Sequence, residues 1–337
     1  MYIISTVGPN LYNNHNIDKF ILEGTSMFRF NLSHGNVDKI KEQIKYIKDN
    51  HKNISTILDL QGSKLRVSRL YKGSERVEKN HIIYFCSEEF YKRAKIKDNL
   101  VPIYVPGGFK RLNYTNNISM KDGTMNFKVL EFLEEKFFKT TCLDGGIIRG
   151  EKGINISSMD REGIGLTLKD KTQLKELLEL EPEIILMSYT NSKNIILELK
   201  EYLEGITYKK PLIWSKIECN EGIKNIEEVI RVSDGIVIGR GDLVAERDMK
   251  DIPYIEDNII GISKKNNKDI IIATYILSSM KNSVRPTINE IECIYNFINK
   301  GVTGFMITSE VSVGKYPLES IRTLKNMINN TLDKKLK

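Results

Sequence analysis

Eight short apolar runs, each answered by a segment with helical spacing, leave this chain few folds to choose from. The runs are Tyr2 to Val7, Met27 to Phe30, Ser55 to Asp59, Glu183 to Met187, Leu212 to Ile217, Gly235 to Ile238, Asp269 to Ala273 and Gly304 to Ile307. Helical patterns cover Ile17 to Gly24, Val37 to Asp49, Leu168 to Leu180, Lys193 to Leu203, Glu221 to Val232, Ile255 to Lys265, Ile288 to Asn299 and Leu318 to Leu332. Asn16 is a candidate N-cap for the first, which Gly24 closes. Ile40, Ile44 and Ile47 line one face of the second. Such alternation predicts parallel strands, and eight units predict a closed α/β barrel. The rival is an open doubly wound sheet with G-x-G-x-x-G after its first strand. This chain has only the turn Gly8-Pro9 there.

The third unit is interrupted. From about Val67 to Gly150 the text turns β-like, with turns at Lys72-Gly73, Pro106-Gly107-Gly108, Lys121-Asp122-Gly123 and Asp144-Gly145-Gly146. Long helical periods are scarce in that stretch. It reads as an inserted small β domain, residues 67–150, in a catalytic barrel built from 1–66 and 151–337.

A chain of 337 residues can bury a core of that size. Its net charge of +7 is interleaved, with 51 basic against 44 acidic residues. Lysine-rich segments such as Lys39 to Lys52 alternate with apolar residues, as solvated helix faces do, so no nucleic-acid partner is expected. A basic surplus suits an enzyme handling polyanionic phosphates. The cysteines, Cys86, Cys142, Cys219 and Cys293, lie far apart without metal-type spacing, which fits a reducing cytoplasm and not structural zinc. No apolar run reaches membrane-spanning length, and Met1-Tyr2-Ile3-Ile4 lacks the basic start of a secretion signal.

The chemistry concentrates where the runs end. Trp214-Ser215-Lys216-Ile217-Glu218 puts an ammonium and a carboxylate two residues apart, on one face of a strand. Gly239-Arg240-Gly241-Asp242 brings a second carboxylate to the end of the next run. Two carboxylates can hold a hard divalent cation, and a lysine can neutralise a transferring phosphoryl group. Those residues alone are equally compatible with a solvated salt bridge. In a closed barrel, however, the C-terminal strand ends share one face. Strand two then offers Arg29, Asn31, Ser33 and His34; strand three Asp59, Lys64 and Arg66. Strand seven offers Thr274, and strand eight Thr308 and Glu310. Arginines, lysine and carboxylates converging there predict a phosphate-plus-metal site.

Met27-Phe28-Arg29-Phe30-Asn31-Leu32-Ser33-His34-Gly35 resembles a signature of the pyruvate kinases, and Ser215-Lys216-Ile217-Glu218 with Glu221-Gly222 is similar to their central motif. Ser233-Asp234-Gly235, Gly239-Arg240-Gly241-Asp242-Leu243, Ala273-Thr274, Arg285-Pro286-Thr287 and Tyr316-Pro317-Leu318-Glu319 follow in the expected order. The resemblance spans essentially the whole chain. It implies a TIM (β/α)8 barrel with a small β-barrel-like lid after the third strand. It implies phosphoryl transfer between phosphoenolpyruvate/pyruvate and ADP/ATP with Mg²⁺ or Mn²⁺. Glu218 and Asp242 would bind the metal. Lys216, Arg29 and Thr274 would be catalytic, and the amides of Gly241 and Asp242 would take the substrate carboxylate. Asn31, His34, Arg66 and Lys152 match nucleotide positions, and Asp122 matches an acidic residue of the lid. Asn31, Ser33, Asp59 and Leu60 match a monovalent-cation site. Many family members have glutamate where Lys64 stands, so a tethered ammonium implies that K⁺ is not required. Other expected readings of the same barrel are a metal-dependent enolate-handling lyase or aldolase and a non-catalytic regulatory paralogue.

The chain departs from the family pattern at several positions. Val244 replaces a glycine and is expected to narrow the carboxylate pocket. Asn191 replaces an arginine; Tyr275 and Ser278 replace glutamine and glutamate; Ser309 and Val311 interrupt the last motif. The chain stops after the eighth helix, where relatives continue into a regulatory domain. That implies no effector site of the usual kind, and a monomer or barrel-mediated homodimer.

Overall fold

The computed structural model describes residues 1–33, 36–121 and 123–335. His34 and Asp122 therefore lie outside the described residues. Eight parallel strands close into a barrel: β1 (Tyr2–Thr6), β2 (Met27–Asn31), β3 (Ser55–Asp59), β4 (Ile184–Met187), β5 (Leu212–Ile217), β6 (Gly235–Gly239), β7 (Asp269–Ala273) and β8 (Gly304–Ile307). Each pairs with its sequence neighbours, and β1 closes on β8 with Tyr2 opposite Gly304.

Strand alternation separates two cores. Ile4, Met27, Ile57, Leu186, Trp214, Val237, Ile271 and Met306 pack together as the interior plug. Their neighbours Ile3, Phe28, Leu58, Ile185, Ile213, Ile236, Ile272 and Phe305 belong to the shell packed with the surrounding helices. Burying one such side chain contributes about 1.5–3 kcal/mol. Gly235 admits the plug's largest member, since a Cβ there would meet Trp214 Nε1 at 2.6 Å.

The inward rows turn polar towards the C-terminal ends. Ile4 is followed by Thr6, Met27 by Arg29, Ile57 by Asp59, Leu186 by Ser188 and Trp214 by Lys216 and Glu218. All of these polar residues line one cavity of about 880 Å³. A single period-2 pattern thus supplies both the hydrophobic plug and the polar floor above it.

The helix expected to begin near Ile17 spans Asn14–Glu23. Its N-cap is Asn13, whose side chain accepts from His15 N–H at 2.9 Å, instead of Asn16. Asn16 sits in the first turn and donates to the Asn10 carbonyl at 2.8 Å. Gly24 closes the helix at φ +126°. The segment read as one helix from Glu221 breaks at Asn225 into Asn220–Lys224 and Ile226–Val232.

Seven strands from residues 65–155 close a second, smaller barrel, and Ser74–Val77 pairs with Gly146–Arg149 as a separate ribbon. One short helix, Glu88–Arg93, was not legible from periodicity. Ser87 caps it, with Glu88 and Glu89 in the first turn and Lys92 and Arg93 in the last. The chain crosses between the barrels twice, and the crossings are neighbours: Gly153 pairs with Arg66 and Ile154 with Leu65. Lys64, Arg66, Lys152 and Asn155 therefore reach the same cavity.

Candidate active site

Lys216 and Glu218 continue the inward row that Trp214 begins. Lys216 Nζ lies 2.8 Å from Glu218 Oε1 and 3.7 Å from Asp59 Oδ2. Gly239 makes room beside them, because a Cβ there would meet Glu218 Cγ at 2.6 Å. Burial opposes the Lys216 charge, but Asp59 and Glu218 outweigh it and hold the ammonium above its ordinary pKa.

Asp59 is buried and acts as a hub. Arg29 Nε donates to its Oδ2 at 2.7 Å, and the Ser188 hydroxyl donates to its Oδ1 at 2.7 Å. Arg29 Nη1 also donates to Thr6 Oγ1 at 2.9 Å. Burial would raise the Asp59 pKa, but Lys216 and Arg29 hold it below the usual carboxylate range. Asp59 therefore stays ionised and fixes both cations.

Glu218 and Asp242 line the same cavity floor, and the charge of Asp242 acts on Glu218. Burial, with the Asp242 charge added, pushes the Glu218 carboxyl above the usual carboxylate range against the opposing charge of Lys216. Burial would also raise Asp242, but Lys64 and Lys216 hold it low. Two hard oxygen donors on one cavity floor fit a divalent cation that takes one or two protein carboxylates and completes its shell with substrate and water. Among the described residues no group of three or more His, Cys, Asp or Glu has metal-ligand spacing, so further ligands would come from substrate or solvent. Lys64 Nζ donates to both Asp242 oxygens, at 2.9 and 3.0 Å.

Thr274 and Tyr275 follow β7 with φ of +64° and +53°. Consecutive left-handed residues with side chains are disfavoured and persist only where their surroundings over-determine them. Arg240 does so: its guanidinium donates to both carbonyls and lies 5.2 Å from the Phe297 ring. The turn brings Thr274 Oγ1 to the Gly241 N–H at 2.8 Å.

Cations gather on the wall next to the smaller barrel. Arg66, Lys121, Arg149 and Lys152 all line the cavity. Arg66 Nη1 donates to the Glu151 carbonyl at 2.7 Å, while its buried Nε has no partner among the described residues. Asn31 Oδ1 accepts from the Ser33 N–H at 3.0 Å. Leu60 is buried in the shell core.

Several departures land away from the cavity. Val244 was expected to narrow the carboxylate pocket. It lies instead on the helix Arg240–Glu246 and packs against the outer shell. Tyr275 offers its carbonyl to Arg240, while Ser309, by contrast, lines the cavity. Asn191 is buried and donates to the Arg161 carbonyl at 2.7 Å.

Arg161 leads to a part of the site that carried no sequence signal. Its guanidinium is buried, 2.9 Å from Glu246 and 5.1 Å from the Tyr189 ring. Burial pushes Glu246 up to about 7 despite that partner. Removing one member of a buried pair strands the other, so Arg161→Met should cost about 3–5 kcal/mol of stability. Chemical denaturation measures it, and a loss below about 1 kcal/mol would contradict a charged pair.

Comparison with known proteins adds three findings. Residues 1–321 match the family model described as the pyruvate kinase barrel domain. The chain is 31% identical over 338 residues to the protein named pyruvate kinase from Thermotoga maritima, covering 99% of this chain and 71% of that one. It is 30% identical to the pyruvate kinase of Clostridium perfringens (96% and 69% covered) and 27% identical to that of Bacillus licheniformis (98% and 56%). This chain thus spans between about half and three quarters of the length of these relatives.

Proposed function

The chain belongs to the pyruvate kinase family, and from that premise we propose that it transfers the phosphoryl group of phosphoenolpyruvate to ADP, giving pyruvate and ATP. The supporting observation is the convergence of Lys216, Glu218, Asp242 and Arg29 on one cavity floor. We read the larger barrel as a TIM (β/α)8 barrel and residues 67–150 as a lid over its open end.

Glu218 and Asp242 would hold Mg²⁺ or Mn²⁺, whose charge would offset that of the phosphoryl and enol oxygens. Lys216 stands beside Glu218 and neutralises charge as the bond between phosphorus and the enol oxygen breaks and a bond to the ADP β-phosphate forms. Arg29, fixed by Asp59 and Thr6, grips the phosphoryl oxygens. The amides of Gly241 and Asp242, with the Thr274 hydroxyl, receive the substrate carboxylate. Thr274 stands near the carbon that takes a proton when the enolate becomes pyruvate. Arg66, whose Nε has no partner among the described residues, Lys152 and Asn31 face the nucleotide; the family resemblance assigns His34, which lies outside the described residues, to the nucleotide as well. Asp122 would approach on lid closure. The four free cysteines suit a reducing cytoplasm. No helix among the described residues is long and apolar enough to cross a membrane.

Pyruvate formation that requires both ADP and a divalent cation tests this reading. A second expectation concerns K⁺. Lys64 and Arg29 already place protein cations on Asp242 and Asp59. The rate in tetramethylammonium chloride should therefore match the rate in KCl, and activity that stays near zero until K⁺ is added would contradict this.

A further inference from the structure

Tyr189, just beyond β4, is fully buried, touches the proposed metal ligand Glu218 directly and is linked to the other, Asp242, through Asn155. Its backbone is left-handed, with φ +52°. A bulky side chain rarely adopts that conformation, so something must hold it there. Three contacts do. The Tyr189 N–H donates to Glu218 Oε2 at 3.1 Å. Its ring lies between two cations, with Arg161 Cζ 5.1 Å and Lys64 Nζ 5.7 Å from the centroid. Its hydroxyl accepts from Asn155 Nδ2 at 3.3 Å.

Asn155 carries the contact onward. The same Nδ2 donates to Asp242 Oδ1 at 3.2 Å. An amide nitrogen has two hydrogens, one for the phenol oxygen and one for the carboxylate. Rotating the amide to improve one contact moves the other. One residue therefore reaches Glu218 through its main chain and Asp242 through its side chain by way of Asn155, although one ligand follows β5 and the other lies on the helix after β6.

We propose that Tyr189 is a positioning residue for the metal site, its amide orienting Glu218 and its hydroxyl, through Asn155, orienting Asp242. The inference rests on the reading of Glu218 and Asp242 as metal ligands. Hydrogen-bond partners of ligating groups fix ligand orientation, and their loss typically lowers metal affinity about 10–100-fold. Tyr189→Phe removes only the hydroxyl, leaving the ring, the amide and both cation contacts. It severs the Asp242 arm and keeps the Glu218 arm, so its effect should lie at the lower end of that range.

The test is Mn²⁺ binding to the whole chain, followed by loss of the free-ion electron paramagnetic resonance signal. Tyr189→Phe should bind Mn²⁺ about tenfold more weakly while its thermal unfolding midpoint stays within about 2 °C of the wild type. Asn155→Leu cuts the same arm from the other side and should weaken binding to a similar degree. The double variant should be no weaker than the poorer single variant, because both break one chain of contacts. Affinity within twofold of wild type in either single variant, or additive losses in the double variant, would overturn the proposal. If Tyr189→Phe fails to fold, Asn155→Leu alone decides. A wild-type chain that binds no Mn²⁺ would remove the metal reading beneath the proposal, which is distinguishable from wild-type binding that the variants leave unchanged.

Discussion

Replacing Lys216 by Met is expected to lower kcat for ADP-dependent pyruvate formation by about 10³-fold or more while leaving Mn²⁺ binding intact. The magnitude follows from the position of the charge. Nζ lies 2.8 Å from Glu218 and 3.7 Å from Asp59, two buried carboxylates on the cavity floor. A cation placed in advance where negative charge develops is worth about 10²–10³ in rate for one hydrogen-bond donor, and up to about 10⁵ for an arginine acting on a transferring phosphoryl group. Metal binding survives because the substitution removes a positive neighbour and not a ligand. Asp59 keeps Arg29 and Ser188, so the fold around it persists. A variant with more than a tenth of the wild-type kcat would show that Lys216 serves only as a counter-ion.

Asp242→Asn should abolish activity and weaken Mn²⁺ binding by more than the 10–100-fold typical of an outer-shell change. Asp242 is the carboxylate held low, hence the one ionised across the physiological range. An amide there offers one neutral oxygen, too poor a donor for a hard cation. The substitution also leaves the Lys64 ammonium facing an amide in place of the carboxylate it now binds through both oxygens. That charge repels the incoming ion and compounds the loss. The paired control is Lys64→Met, which keeps the ligand and removes the competing cation, so it should bind Mn²⁺ at least as tightly as wild type. Unchanged Mn²⁺ affinity in Asp242→Asn would place the metal elsewhere.

The strands of the larger barrel were legible because period-2 burial and the spacing of eight units survive in one dimension. The nearness of Lys216, Glu218 and Asp242 was legible for the same reason. Side chains two apart share a face, and neighbouring parallel strands end together. What escaped notice depends on contacts that sequence spacing does not encode. Asn155 meets Asp242 across 87 residues, and Arg161 meets Glu246 across 85. Both arrive on the crossings between barrels, whose path is set by pairing in the smaller barrel. Thr6 and Ser188 were more accessible, because they have the same parity and strand-end position as Arg29 and Lys216. Val244 shows the opposite error. The run after Gly239 is helical, so the residue two beyond Asp242 faces the outer shell. The helix Glu88–Arg93 was too short for a period, although its cap and terminal charges marked it.

The most direct test of the account follows phosphorus by NMR in a mixture of the protein, phosphoenolpyruvate, ADP and Mg²⁺ without K⁺. Loss of the phosphoenolpyruvate signal should match the gain of the ATP γ-phosphate signal one for one, with pyruvate appearing in equal amount. No change without ADP, and none with Lys216→Met, completes the expected pattern. Release of inorganic phosphate without ATP, cleavage of a 2-oxo acid without ADP, or a phosphoenolpyruvate signal that stays constant with the wild-type chain would contradict it.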